Sequence, residues 1–166
     1  MENDYKNCLA NGKGGLLVEL TYVTYIGAKP EEVWNALLSP EGTKAIFFGS
    51  VLQSTFEIGA PYAYVGPGAD GEETVHVYGN ILAFEPYRFM SYTEHPGPSY
   101  NERHAELETR ISLTLETVGS CTRLTLVNDQ WPADHPSYER TKDSWHYIIS
   151  SIKTYVETGK ALDFGW

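Results

Sequence analysis

Apolar and polar positions change their spacing along this chain in a definite order. Residues 1–15 are polar and glycine-rich, without a period, and read as a flexible leader. The run LLVELTYVTYIG then places Val18, Leu20, Tyr22 and Ile26 on one alternating face, which predicts a long strand starting near Leu16. In AKPEEVWNALLSPEG the period lengthens: Val33, Trp34, Leu37 and Leu38 form an apolar stripe behind Pro30, a residue suited to a first helical turn. Glu31 and Glu32 suit the positive end of that helix, and Pro40 ends it. A second short helix is expected from Pro40 to Ile46, ahead of Phe47, Phe48 and a turn at Gly49.

Period two returns in SVLQSTF, YAYVG, TVHVYGNILAF, YRFMSYTEH, LETRISLTLETV and CTRLTLVND, each bounded by turn residues. In LETRISLTLETV, Leu107, Ile111, Leu113 and Leu115 take one face, while Glu108, Arg110, Ser112 and Glu116 take the other. Connections this short require antiparallel neighbours, since parallel strands need long crossovers. Helical spacing then resumes from Tyr138 to Thr158. Tyr138, Thr141, Trp145, Ile148, Ile149, Ile152, Tyr155 and Val156 recur at three and four, and Glu139, Asp143, His146, Ser150, Lys153 and Glu157 fill the opposite side. Such a helix spans roughly 30 Å, enough to cross a bent sheet, and Gly159 is a natural stop. The expectation is an α+β chain with a single domain over residues 16–162: one strand, two short helices, about six more antiparallel strands and a long closing helix.

Composition narrows the partners. A formal charge of −10 opposes general attraction to nucleic acid or anionic lipid. No apolar run has the length of a membrane span, and the N-terminal stretch lacks the apolar segment of a signal peptide, so a cytoplasmic protein is expected. Cys8 and Cys121 are far apart and without ligand spacing, which predicts free thiols. Tyrosine is abundant, at 12 residues.

Motifs for catalysis are sparse. No HExxH, EF-hand, P-loop or GxSxG pattern occurs. His95, His104, His135 and His146 fall in loops or on polar faces and read as solvated or singly hydrogen-bonded; His76, in mid-strand, is the one that could face a cavity. Asp129, Asp134 and His135 lie close in sequence, but loops before helices collect such residues for turns and caps, so no metal is expected. No cofactor is expected either. Glu94 has two readings: alternation with Met90 and Tyr92 turns it inward, where a carboxyl needs a partner or a raised pKa, or the strand has already ended and it is solvated.

The segments YIGAKPEEVWNALLSPEGTKAIFFG, STFEIGAPYAYVG, GNILAFEPYRFMSYTEHPG and SWHYIISSIKTYVETGKAL resemble the helix-grip superfamily often abbreviated SRPBCC. START domains, polyketide cyclases and birch-pollen-allergen-like proteins belong to it, and the chain is similar in particular to the activator-of-heat-shock-protein-ATPase homologue-like branch. The resemblance implies a curved antiparallel sheet of about seven strands gripping the C-terminal helix, with an apolar cavity between them. Trp34, Phe47, Phe48, Tyr62, Tyr64, Tyr78, Tyr92, Trp131 and Trp145 are spread over the elements that would line that space, either as plain core or as pocket walls. His76, Met90, Glu94, Leu113, Ile149 and Ile152 complete the expected lining.

Three functions follow from the resemblance: a binding module for a small hydrophobic or aromatic molecule, an enzyme of cyclase, dehydratase or hydrolase type, or a co-chaperone-like interaction domain. The residues favour the first. For the second, only Glu94, His76 and Tyr78 offer acid or base groups. For the third, the chain lacks the additional domain with which the family's namesake engages its partner, so a chaperone partner is not expected. A homodimer is compatible with each.

Overall fold

The alternating segments pair into one sheet and the two helical periods pack on it. The computed structural model describes residues 18–165. The polar leader, Cys8 and the expected strand start at Leu16 lie outside the described residues. In chain order the elements are β1 (Leu20–Ile26), α1 (Pro30–Leu38), α2 (Pro40–Ile46), β2 (Val51–Ser54), β3 (Pro61–Pro67), β4 (Glu73–Glu85), β5 (Phe89–Pro96), β6 (Thr109–Val118), β7 (Cys121–Asp129) and α3 (Tyr138–Thr158). A single 3₁₀ turn, His104–Glu106, sits between β5 and β6.

The sheet runs β1-β7-β6-β5-β4-β3-β2 with every neighbour antiparallel, and it curves around α3 as a helix grip. Only β1 departs from its neighbour in sequence, pairing with β7 from Leu20↔Asn128 to Ile26↔Thr122. Val18 falls opposite Gln130, beyond the end of β7 at Asp129, and among the described residues the strand starts at Leu20.

Local chemistry fixes the two short helices. The Glu32 carboxylate accepts the Lys29 N–H at 2.9 Å, closing the first turn of α1 behind Pro30. Ser39 both ends α1 and starts α2, its Oγ accepting the Gly42 N–H at 3.1 Å. The stripe read from the sequence is the buried face of α1, with Val33, Trp34, Ala36 and Leu37 inside. Those residues join Ile26, Ile111, Leu124, Leu126 and Ile152 in the core.

Helix α3 is tied to the sheet at three levels. Near its start the Tyr22 hydroxyl donates to the Lys142 carbonyl at 2.7 Å. Near its end Lys153 donates to the Tyr25 carbonyl, and Glu157 accepts the Gly27 N–H at 2.8 Å before Gly159, at φ 77°, closes the helix. In between, the Trp145 indole donates to Asn128 Oδ1 at 3.1 Å. Asn128 is 0% exposed, and its amide nitrogen donates to the Arg110 carbonyl while its own carbonyl accepts the Trp131 indole. One buried residue, through its side chain and its backbone carbonyl, thus joins β6, β7, the segment before α3 and α3 itself.

Asn128→Leu keeps the volume and removes both side-chain hydrogen bonds, leaving an indole N–H and a carbonyl buried without partners. Urea denaturation should show a loss of about 2–4 kcal/mol, with the slope against urea unchanged.

Candidate functional site

Glu94 lies near the end of β5, and the strands on either side decide what it faces. On one side it pairs with Thr109 of β6. On the other, the β4–β5 register passes from Tyr78↔His95 to Ile81↔Tyr92, leaving Gly79 and Asn80 opposite Thr93 and Glu94. The Asn80 N–H turns to the Thr93 hydroxyl at 3.0 Å, and the Tyr62 hydroxyl donates to the Thr93 carbonyl at 2.7 Å. A Cβ on Gly79 would stand 2.0 Å from that carbonyl oxygen, so glycine is required for β5 to run this close. The strand continues to Pro96, and Glu94 is turned onto the concave face rather than into a loop.

Between that face and α3 lies a cavity of about 390 Å³. Phe47, Phe48, Tyr64, Tyr92, Trp145 and Ile148 make its apolar walls. A second chamber of about 380 Å³ adjoins it, bounded by Tyr100, Trp131, His135 and Arg140. His76, Val77, Glu94, Thr141 and Ser144 border both, so the acid stands where the aromatic space meets the polar one.

Burial away from bulk water pushes the Glu94 carboxyl up to about 7. No described residue forms a hydrogen bond or ion pair with it. Tyr62, Tyr64 and Tyr92 are all raised, first by burial and also by the nearby Glu94 charge, so their hydroxyls remain protonated donors. The rings interlock: Phe47 on Tyr64 at 4.8 Å and Tyr62 edge-on to Tyr92 at 4.9 Å. His76 is held at both nitrogens. Its Nε2 meets the Pro67 carbonyl at 3.1 Å and so carries the hydrogen, leaving Nδ1 to accept from the Tyr100 hydroxyl.

The structure brings together seven of the expected residues around the aromatic cavity: Phe47, Phe48, Tyr64, His76, Tyr92, Glu94 and Trp145. Trp131 borders the polar chamber, and Tyr62 stands one layer behind Tyr92. Met90, Leu113, Ile149 and Ile152 are packed core, and Trp34 is edge-on to Phe84 and Tyr87 instead of bordering either chamber. Tyr78 is on the opposite face of the sheet, stacked on His95 at 4.9 Å with its hydroxyl 2.6 Å from His104 Nδ1. Of the acid and base groups, Glu94 and His76 border the same cavity and Tyr78 does not. Asp129 is engaged by the Arg110 guanidinium and His135 accepts the Ser137 N–H, and among the described residues no three His, Cys, Asp or Glu side chains are grouped to hold a metal. Sequence reasoning missed Ser50, Pro67, Val77, Thr141, Ser144 and Ile148 as lining; Ser144 precedes Trp145 and borders the cavity with Thr141 and Ile148, one turn to either side.

Residues 27–157 match the family model described as Activator of Hsp90 ATPase homolog 1-like protein. The chain belongs to this family. No curated protein matches it in sequence. Among solved structures, the Aha1 dimer from Colwellia psychrerythraea is 19% identical with a TM-score of 0.67, covering 87% of this chain and 99% of the other. A protein from Arthrobacter aurescens is 17% identical with a TM-score of 0.71, covering 89% and 91%. DynU16, from the dynemicin biosynthetic locus, is 19% identical with a TM-score of 0.68, covering 89% of this chain and 50% of its own. These likenesses carry the fold, and the helix-grip resemblance read from the sequence agrees with them. Among the described residues, no helix is long and apolar enough to cross a membrane.

The raised Glu94 pKa has a consequence for this family member's stability. Below about pH 4.5 the carboxyl is protonated in folded and unfolded chains alike. As pH rises the unfolded chain ionises first and the folded one follows only near 7, so stability falls across that window and then levels. Glu94→Gln should remove this component. Denaturation at about pH 8 should find the variant more stable than the parent by on the order of 2–3 kcal/mol, with no difference near pH 4.

Proposed function

We propose that this protein binds a small hydrophobic or aromatic molecule in the cavity between the sheet and α3. The observation that carries the reading is the cavity itself: about 390 Å³ walled by Phe47, Phe48, Tyr64, Tyr92, Trp145 and Ile148. Ligand sites of this kind are concave, mainly apolar and supplied with few polar groups. Here Glu94, His76, Thr141 and Ser144 are those groups, gathered on one side. The structural likeness to DynU16, from a biosynthetic locus, supports a small-molecule role on a shared fold. A homodimer fits the same reading, since the similar Colwellia protein is described as a dimer.

Catalysis at the same cavity is the second reading, favoured by one observation: a carboxyl at about 7 is poised for proton transfer near neutral pH. Tyr64 and Tyr92 would then supply hydroxyl donors beside it.

A thermal-shift series with flavonoids, fatty acids, sterols and polyketide-like aromatics tests the binding reading. A ligand at a hundred times its Kd stabilises the folded state by about 2.7 kcal/mol, which is visible as a rise in Tm. Ile148→Trp, which fills the cavity from α3, should keep the fold and weaken the best ligand at least tenfold. Binding that is unaffected by this variant would place the ligand elsewhere.

A further inference from the structure

Resting on the cavity reading above, we infer that the preferred ligand is a compact aromatic or alicyclic amine, bound as its ammonium ion with the charge against Glu94 and the ring among Phe47, Tyr64, Tyr92 and Trp145.

The geometry leads here because the cavity has an acid and nothing to answer it. The Glu94 carboxyl borders the space, and among the described residues it has neither a hydrogen bond nor an ion pair. The charged and titratable groups around it come from every packed element. Strand β3 gives Tyr62 and Tyr64, β5 itself gives Tyr92, and β4 gives His76, whose two nitrogens are occupied by Tyr100 and Pro67. The segment before α3 gives His135, bonded to Ser137, and α3 gives Arg140, an exposed side chain that borders the polar chamber without an ion pair to Glu94. Strand β6 contributes only Thr109. Burial alone accounts for the state of the carboxyl, with no cation acting on it.

The cavity as folded already carries part of the desolvation cost of its acid. Removing one partner of a buried ion pair is strongly unfavourable, and supplying the missing partner reverses that penalty. A neutral hydroxyl or carbonyl would gain only an ordinary hydrogen bond. The walls act in the same direction, because the faces of tyrosine, tryptophan and phenylalanine rings are electron-rich and attract an organic cation. The formal charge of −10 favours encounter with cations over anions. The ammonium binds the ionised acid, so binding at neutral pH drives protons from the protonated share of Glu94 into solvent.

Three naphthalenes bearing an aminomethyl, a hydroxymethyl or a carboxylate group at the same ring position form the probe set, titrated against the full chain by calorimetry. The amine should bind at least tenfold more tightly than the alcohol, and the carboxylate more weakly than either. Amine affinity should rise about tenfold between about pH 6 and pH 8, as the acid ionises, with proton release visible as a dependence of the heat on buffer. Glu94→Gln should abolish both the preference and the pH dependence while leaving alcohol binding in place, which also shows that the variant is folded. Equal binding of amine and alcohol, or a preference for the carboxylate, would overturn this inference and leave the cavity reading standing. If none of the three binds, the cavity reading falls and this one with it.

Discussion

A carboxamide at full burial, Asn128, holds this structure in its working shape. Its side chain bridges the Arg110 carbonyl in the sheet to the Trp145 indole on α3, while its own carbonyl accepts Trp131. Apolar packing alone would let a long helix slide or roll on a curved sheet, because dispersion and burial have little directional preference. Hydrogen bonds inside a low-dielectric core do have it, and an unmet donor there is costly. The indole of Trp145 is therefore kept pointing at β7, and its ring becomes a wall instead of a plug.

The pinned helix also explains the division of the space. Ties from Tyr22 and Glu157 fix the two ends of α3 to β1 and its outgoing turn, at one edge of the sheet. The side facing β3, β4 and β5 is lined by Phe47, Phe48, Tyr64, Val77 and Tyr92, and they leave room. Glu94 comes to the middle of that room because Gly79 and Asn80 let β5 depart from the regular ladder. A carboxyl is thereby placed at the cavity wall without a hydrogen-bond or ion-pair partner among the described residues.

Much of the fold was legible because two periods dominate the chain. The stripe Thr141, Trp145, Ile148, Ile152 and the alternation Ile111, Leu113, Leu115 could each satisfy only one kind of element, and the starts of α1 and α2 and the end of α3 follow from Pro30, Pro40 and Gly159. The aromatic side of the site was legible for the same reason. What one strand's period cannot supply is register between strands. Tyr78 and His76 were grouped with Glu94 as chemistry, yet facing depends on how β4 and β5 align, and that puts Tyr78 against His95 on the far side. Trp34 stood on the expected helix face but is consumed by Phe84 and Tyr87, a contact made by residues fifty positions away. Asn128 drew no attention at all, since a lone amide in an alternating strand has no sequence signature for the partners it will meet.

Phe48 gives the site a kinetic character. It is 62% exposed, with φ 52°, and its ring belongs both to the aromatic cavity and to an outer groove bordered by Arg140, Asp143 and Tyr147. An exposed aromatic side chain changes rotamer within picoseconds to nanoseconds, far faster than a hinge or a domain can open. For the ligand proposed above, exchange past this rim would need only that ring to turn, and its residence time would then be set by the strength of its own contacts.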